Sequence, residues 1–340
     1  MDIDVVYTWV DGNDPEWQKR KDTRLQELGY PVSETANHSC RFIEHDELKY
    51  SLRSIYTFAP WVHKIYIVTD KQIPAWFNTE NPWVTIVDHT ELFDDPDCLP
   101  TYNASALETK LHKIPNLSEH YLYFNDDFFL GRKCTPHDFV QKNKPCIYVE
   151  KRNTLITQKK FDAYEKQQSL RNEFQAGMRN SRNLIIKTYG KKSKVVLSHG
   201  IRVYRKSTMS FLNNEYKEYF DNTAAHPFRS FSDILSYAIF SFYTLVTKTG
   251  IAISTPQIRG NRYFFNNLIN RHRKYLYKHI NLSSKNLYRS LRNIKKYKHF
   301  MFCINDERNT REEAYITAQD FLRDFFPEKS PAASYPPSSC

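Results

Sequence analysis

The sequence predicts an α/β protein, a mostly parallel sheet flanked by helices, with a helical insertion. Three observations predict it. Runs rich in β-branched and aromatic residues recur at residues 3–10, 63–70, 84–89, 121–124 and 299–306, apolar enough to be covered on both faces. Helical periodicity lies between several of them, and strands alternating with helices argue for a parallel sheet with helices packed over it. Two of the runs end in oxygen-bearing side chains, Asn125-Asp126-Asp127 and Asn305-Asp306. In open α/β sheets the carboxyl ends of the strands are where ligands sit.

In chain order, residues 3–10 (IDVVYTWV) read as a buried first strand. The loop Asp11-Gly12-Asn13-Asp14-Pro15 follows, rich in turn formers and acceptors, and Pro15 opens a charged helix to about residue 28. Strand, polar turn and helix in that order are the layout of a Rossmann-like nucleotide-binding half. GxGxxG is absent, so the dinucleotide fingerprint is missing and a loop that reads a hydroxyl or a ring remains. Residues 41–58 place Leu48, Leu52, Ile55 and Phe58 at helical spacing, which offers Asp46, Glu47, Lys49 and Arg53 to the ends and sides of a helix. Strands at 63–70 and 84–89, a helix at 104–114 and the strand 121–124 continue the alternation. Residues 151–182 are polar with helical stretches and read as a subdomain or lid over the sheet edge. The strand 299–306 is backed by an amphipathic helix at 310–325, and the Pro/Ser-rich residues 327–340 read as a disordered tail. The expected division is thus 1–145 and 196–326 as two halves of one catalytic domain, 146–195 as a helical insertion or lid, and the tail.

The stretch HYLYFNDDFFLG (residues 120–131) carries the strongest chemical signal. Adjacent acids repel and resist desolvation, so they are usually kept where a cation or a proton donor can use them. A solvated Asp-Asp turn capped by Asn125 is the competing reading. Phe128, Phe129 and Leu130 follow at once and hem the pair between apolar runs, which favours function. His199 lies between two β-like runs, and Arg229 precedes an apolar helix. A lone His or Arg is more often structural, but a cation at a helix start is electrostatically unfavourable and asks for an anion.

Composition bounds the rest. The chain has 340 residues, 40% hydrophobic and 15% aromatic, enough for a full core in one large or two modest domains. A mean hydropathy of −0.66 excludes an oily membrane protein. The opening residues have no basic leader and run straight into a strand, so no signal peptide is expected. Six scattered cysteines show neither CxxC nor Cys/His ligand spacing and read as cytosolic thiols. The net charge of +11 is concentrated in residues 261–299, which hold eleven Lys and Arg. With no nucleic-acid motif, nucleic acid is not expected as a partner. An anionic membrane surface or a polyanionic product suits the patch, and a solvated face is its equal competitor.

IDVVYTWVDGNDPEW, RFIEHDELKYSLRSI with APWVHKIYIVTDKQIPAW, LYFNDDFFLG, the SHG and FRSFSD region, and FMFCINDERN together resemble the Stealth family of sugar-phosphate transferases. The resemblance spans four ordered blocks, roughly 1–28, 40–140, 195–245 and 297–326. In the third block His199-Gly200-Ile201 stands where the family commonly has His-x-Pro. The resemblance implies a glycosyltransferase-A-like fold and transfer of a whole sugar-1-phosphate from a nucleotide diphosphate sugar, a UDP-hexose or UDP-N-acetylhexosamine, to a glycan or lipid-linked glycan hydroxyl. That chemistry needs a divalent metal, Mg2+ or Mn2+, or cations that spread phosphate charge. It gives Asp126, Asp127 and Asp306 metal and base roles, with Asp127 and Asp306 as metal ligands. His199 takes the hydroxyl proton and Arg229 grips phosphate. Trp9, Asp11, Asn13, Arg41, Arg53 and Asn125 meet the donor. The expected location is the cytoplasm, peripherally on the inner face of the membrane. A plain glycosyltransferase, releasing the diphosphate, is the alternative.

Overall fold

The computed structural model describes residues 1–29, 31–150, 172–190, 195–255, 277–307, 309–328 and 330–332. Among the described residues the strands are β1 (Ile3–Thr8), β2 (Ile65–Thr69), β3 (Val84–Asp88), β4 (His120–Asn125), β5 (Phe128–Leu130), β6 (Val140–Gln141), β7 (Lys144–Glu150), β8 (Val196–Leu197), β9 (Arg202–Arg205), β10 (Ile251–Thr255), β11 (Tyr277–Asn281) and β12 (Met301–Asn305). The main sheet runs β3-β2-β1-β4-β9, parallel apart from β9, which lies antiparallel on β4. Both halves of the chain therefore build one sheet.

Period-two alternation splits β1 and its neighbours between two cores. Val6, Val68, Tyr121 and Tyr123 face one; Val5, Tyr7, Ile65, Ile67, Leu122 and Phe124 face the other. Asp4 lies buried among them because His63 Nδ1, Lys64 N and Ser118 N surround its carboxylate. Buried charge is tolerated where it is hydrogen-bonded in this way.

A second sheet, β11-β12-β5, has β11 and β12 parallel and β5 antiparallel to β12. A third joins β10, β7 and β6, with β8 on β7. The helix Glu47–Phe58 buries Leu48, Leu52 and Ile55 and is pinned to β5. Ser51 Oγ donates to the Phe128 carbonyl, and Ser54 Oγ accepts from Leu130 N. Tyr7 OH shares a 2.7 Å hydrogen bond with Ser51. One helix thus ties the first strand to the turn that follows β4.

Several expectations change. The helix expected from residue 41 begins at Glu47, after a short 3-10 turn at Ser39–Arg41 and a left-handed Asp46. The helix expected at 104–114 stops at Glu108 and resumes as the 3-10 turn Leu111–Lys113. There the Thr109 hydroxyl takes the Ala106 carbonyl, and Pro115 bars a helical Ile114. The insertion opens with strand β7, and its helix Glu173–Tyr189 is part of the core rather than a lid: Ala176 and Ile185 are buried and Leu184 packs with Ile147, Val149 and Leu235. Most of residues 151–182 lies outside the described residues. The start of the expected disordered tail is docked, since Asn78 N donates to the Ala332 carbonyl at 2.8 Å and Ser330 and Ala332 are buried.

Of the basic segment, residues 261–276 lie outside the described residues. The helix Leu287–Tyr297 buries Leu287, Leu291 and Ile294 and exposes Tyr288, Arg289, Arg292 and Lys296. Lys295 pairs with Asp324 at 2.7 Å. No helix among the described residues is long and apolar enough to cross a membrane.

Gly131 joins the second sheet to its return segment: its N–H donates to the Phe300 carbonyl at 2.9 Å, and a Cβ would overlap the His299 carbonyl oxygen. Gly131→Ala is therefore expected to destabilise by about 1–3 kcal/mol, the usual range for overpacking. A fall in the urea midpoint at unchanged slope checks this.

Candidate active site

Asp126 and Asp127 form the turn between β4 and β5, where the main sheet meets the second one. Register fixes their neighbours. Asn125 lies opposite Thr8 of β1, which brings Trp9 beside Asp126. Ile304 N on β12 donates to the Asp127 carbonyl at 3.1 Å, and Cys303 Sγ donates to Asp127 Oδ2 at 2.9 Å. Asp127 N donates to Asp126 Oδ1 at 3.0 Å. Asp127 Oδ1 is buried with no hydrogen-bond partner. Burial raises both carboxyls above their ordinary range, and the Asp126 charge raises Asp127 further. An uncompensated carboxylate pair of this kind favours an incoming cation or proton.

Two further acids crowd the pair, and sequence reasoning missed both. Glu47, in the first turn of its helix, is pushed well up by burial and then by Asp126. Glu44 is raised to about 7 by burial, with Asp46, Asp126 and Asp11 adding to it, and its Oε1 is buried without a partner. The signal was present as the acidic run EHDE, read there as the flank of an amphipathic helix.

Glu44 also lines a cleft of about 380 Å3 with Trp9, Asp11, Asp14, Asp46, Lys71, Gln72 and Trp76. Gln72 fixes its floor: its Oε1 accepts from Asp11 N, and its Nε2 donates to the Asp11 carbonyl and Asp14 Oδ2. Trp9 Nε1 is buried without a partner. Asp11 spends Oδ1 on Asn13 N at 2.9 Å, which turns the loop, and Asn13 itself is exposed and outside the cleft lining.

Other expected residues fall elsewhere. Arg41 is exposed and donates to the Thr35 carbonyl. Arg53 is not at the cleft: it is buried, donates to the Phe326 carbonyl at 3.1 Å and lies over the Tyr50 ring. Its helix turns that face toward the C-terminal segment. Asp306 accepts from Tyr315 OH at 2.8 Å and from Glu307 N, near His45. Among the described residues, Asp126, Asp127 and Asp306 do not gather as three donors within 4.8 Å of one another; the group that does is His199, His279 and Cys303.

His199 stands edge-on to Phe128, and its Nδ1 meets Tyr277 OH at 3.0 Å. Burial, then the charges of Arg202 and His279, push its pKa down to about 3. The ring is therefore held in its neutral form. Arg202 pairs with Glu108 at 2.7 Å and lies over the rings of Tyr237 and Tyr123. Arg229 lies seven residues before the helix Ser236–Val246, not at its start. Burial lowers its pKa, and Glu108, Tyr123 and Arg202 are its electrostatic neighbours. Its loop is clamped by the buried Asp233, which accepts from Asn103 Nδ2, His226 Nδ1 and Ser230 N at 2.7–2.9 Å.

Three of the four sequence blocks match known regions: residues 1–29, 41–147 and 198–243 match Stealth protein conserved regions 1, 2 and 3. The chain is 34% identical to an exopolysaccharide phosphotransferase of Streptomyces coelicolor, over 97% of this chain and 56% of that protein. It is 34% identical to the exopolysaccharide phosphotransferase CpsY of Mycobacterium tuberculosis, over 97% and 58%. A capsular polysaccharide phosphotransferase of Haemophilus influenzae is 34% identical over 92% and 80%. The chain spans roughly half the length of several of these curated relatives, 33–58% for the first six. Among solved structures, the galactosyltransferase LgtC in complex with donor and acceptor sugar analogues is similar at a TM-score of 0.41 and 8% identity, over 98% of each chain.

The shift of Glu44 carries a pH signature. A carboxyl raised from 4.5 to about 7 binds more protons folded than unfolded, so its penalty is absent below about pH 4.5 and grows as pH rises to about 7. Glu44→Gln is expected to raise the melting temperature at pH 8, with the gain disappearing toward pH 4.5. Parallel thermal scans of the two proteins check it.

Proposed function

Because the chain belongs to the Stealth family, we propose that it transfers hexose-1-phosphate or N-acetylhexosamine-1-phosphate from a UDP-sugar to a hydroxyl of a glycan or lipid-linked glycan. The observation that carries this reading is the crowded Asp126–Asp127 pair with its orphaned Oδ1, set beside a cleft large enough for part of a nucleotide. In the proposed reaction the acceptor oxygen bonds to the phosphorus next to the sugar. The bond from that phosphorus to the bridging oxygen breaks, and UMP leaves.

The residues divide the work. Trp9, Trp76 and Gln72 supply ring faces and amide groups for the nucleoside end of the donor. Asp126 and Asp127 fit a hard divalent ion, Mg2+ or Mn2+, because two adjacent carboxylates raised by burial are only partly offset by Arg202. Such an ion, when bound, supplies charge that spreads over the diphosphate. Arg229 has no ion pair among the described residues and presents a planar fork suited to phosphate. His199 is neutral before substrate arrives and so free to accept the hydroxyl proton. An entering diphosphate, being anionic, raises its basicity toward the working range. The exposed basic face at Arg289, Arg292 and Lys296 supports work against an anionic membrane surface, on its cytoplasmic side.

Two measurements test this. With a panel of UDP-sugars and an acceptor oligosaccharide, mass detection is expected to find UMP and a phosphodiester product; UDP with no phosphorus in the product would establish plain glycosyl transfer instead. Asp127→Asn is expected to lower turnover by at least about 100-fold, the typical cost of one lost electrostatic contact in a site, with the melting curve retained.

A further inference from the structure

We propose that His199, His279 and Cys303 form a second metal site, for a thiophilic divalent cation of the zinc class, adjoining the oxygen donors of Asp126 and Asp127. One donor atom of each residue lies within 4.8 Å of the other two. The grouping follows from the second sheet: His279 of β11 and Cys303 of β12 are register partners, so both side chains leave the same face. His199 reaches that face from the turn between β8 and β9. Tyr277 OH holds it there, bonded to His199 Nδ1 at 3.0 Å and near His279 Nδ1 at 3.4 Å.

The chemistry of the set selects the ion. Two imidazoles and a thiol suit zinc or cobalt and not magnesium, which requires oxygen. With bonds of about 2.0 Å to nitrogen and 2.3 Å to sulfur, tetrahedral donors stand roughly 3.3–3.8 Å apart. Closing from 4.8 Å asks for about 1 Å of adjustment, and the exposed His279 has room to make it. Among the described residues no fourth His, Cys, Asp or Glu joins the group, and the Tyr277 hydroxyl, already beside both imidazoles, is placed to fill or to flank the fourth position.

Binding must remove the thiol proton. As the sulfur–metal bond forms, the S–H bond of Cys303 breaks, its hydrogen bond to Asp127 Oδ2 is lost and the proton is released to solvent. An ion in this site occupies His199, so it opposes the reaction proposed above.

Cobalt(II) gives a readout independent of activity. Added to chelator-stripped full-length protein, it is expected to produce a thiolate-to-metal charge-transfer band with tetrahedral visible absorption at one equivalent. Zinc should displace it mole for mole, and excess magnesium should not. Cys303→Ser should abolish the charge-transfer band. His279→Ala, at an exposed position where folding is not at risk, should weaken cobalt binding by at least about 100-fold, beyond what loss of a supporting contact costs. No charge-transfer band in the unaltered protein, its survival in Cys303→Ser, unchanged affinity in His279→Ala, or displacement by magnesium would each overturn the assignment. The spectra need no turnover, so this site and the transferase reading fail separately.

Discussion

The organisation of the site depends on the cost of holding two neighbouring carboxylates out of water. Asp126 and Asp127 occupy a turn fixed from three sides, by β1 through register, by the helix Glu47–Phe58 through its serines, and by β12 through the Ile304 and Cys303 contacts. A free turn would splay the acids into solvent. Here the backbone cannot relax, and the electrostatic strain passes to whatever enters: a cation, a proton or a substrate that brings one. Glu44 and Glu47 add negative potential around Asp126, and Arg202, paired with Glu108, partly offsets the charge of Asp127.

Much of the fold was legible because period-two runs buried on both faces leave little choice but a covered parallel sheet. The strands at residues 3–10, 63–70, 84–89 and 121–124 are all present with ends shifted by one or two residues. Asp126 and Asp127 stood out because apolar runs bracketed them. Arg53 did not reveal its role: helical spacing says which residues share a face, but only tertiary packing says that this face meets Phe326. The lowered basicity of His199 was out of reach for a related reason, since burial and the neighbouring Arg202 are long-range facts. Cys303 and His279 carried no local ligand spacing at all. Their proximity is a product of strand pairing, to which a motif search along the chain is blind.

The aromatic packing behind the second sheet explains why the C-terminal helix is needed where it is. Phe129 and Phe302 stack at 5.0 Å, and Phe326 lies against both. This layer backs β5 and β12 on the face away from the acids. It keeps the short strand β5, only three residues long, from fraying under the charge it carries at its start.

The antiparallel pairing of β5 with β12 also has a consequence for the birth of the protein. Asp127 acquires its Cys303 and Ile304 partners only when the far end of the chain arrives. At ribosomal rates the roughly 180 intervening residues take on the order of ten to forty seconds. During that interval β5 and the acidic turn have no second sheet to close against, an open edge of the kind that chaperones shield. Maturation of the acidic turn is therefore timed by the synthesis of β12 rather than of β4 or β5.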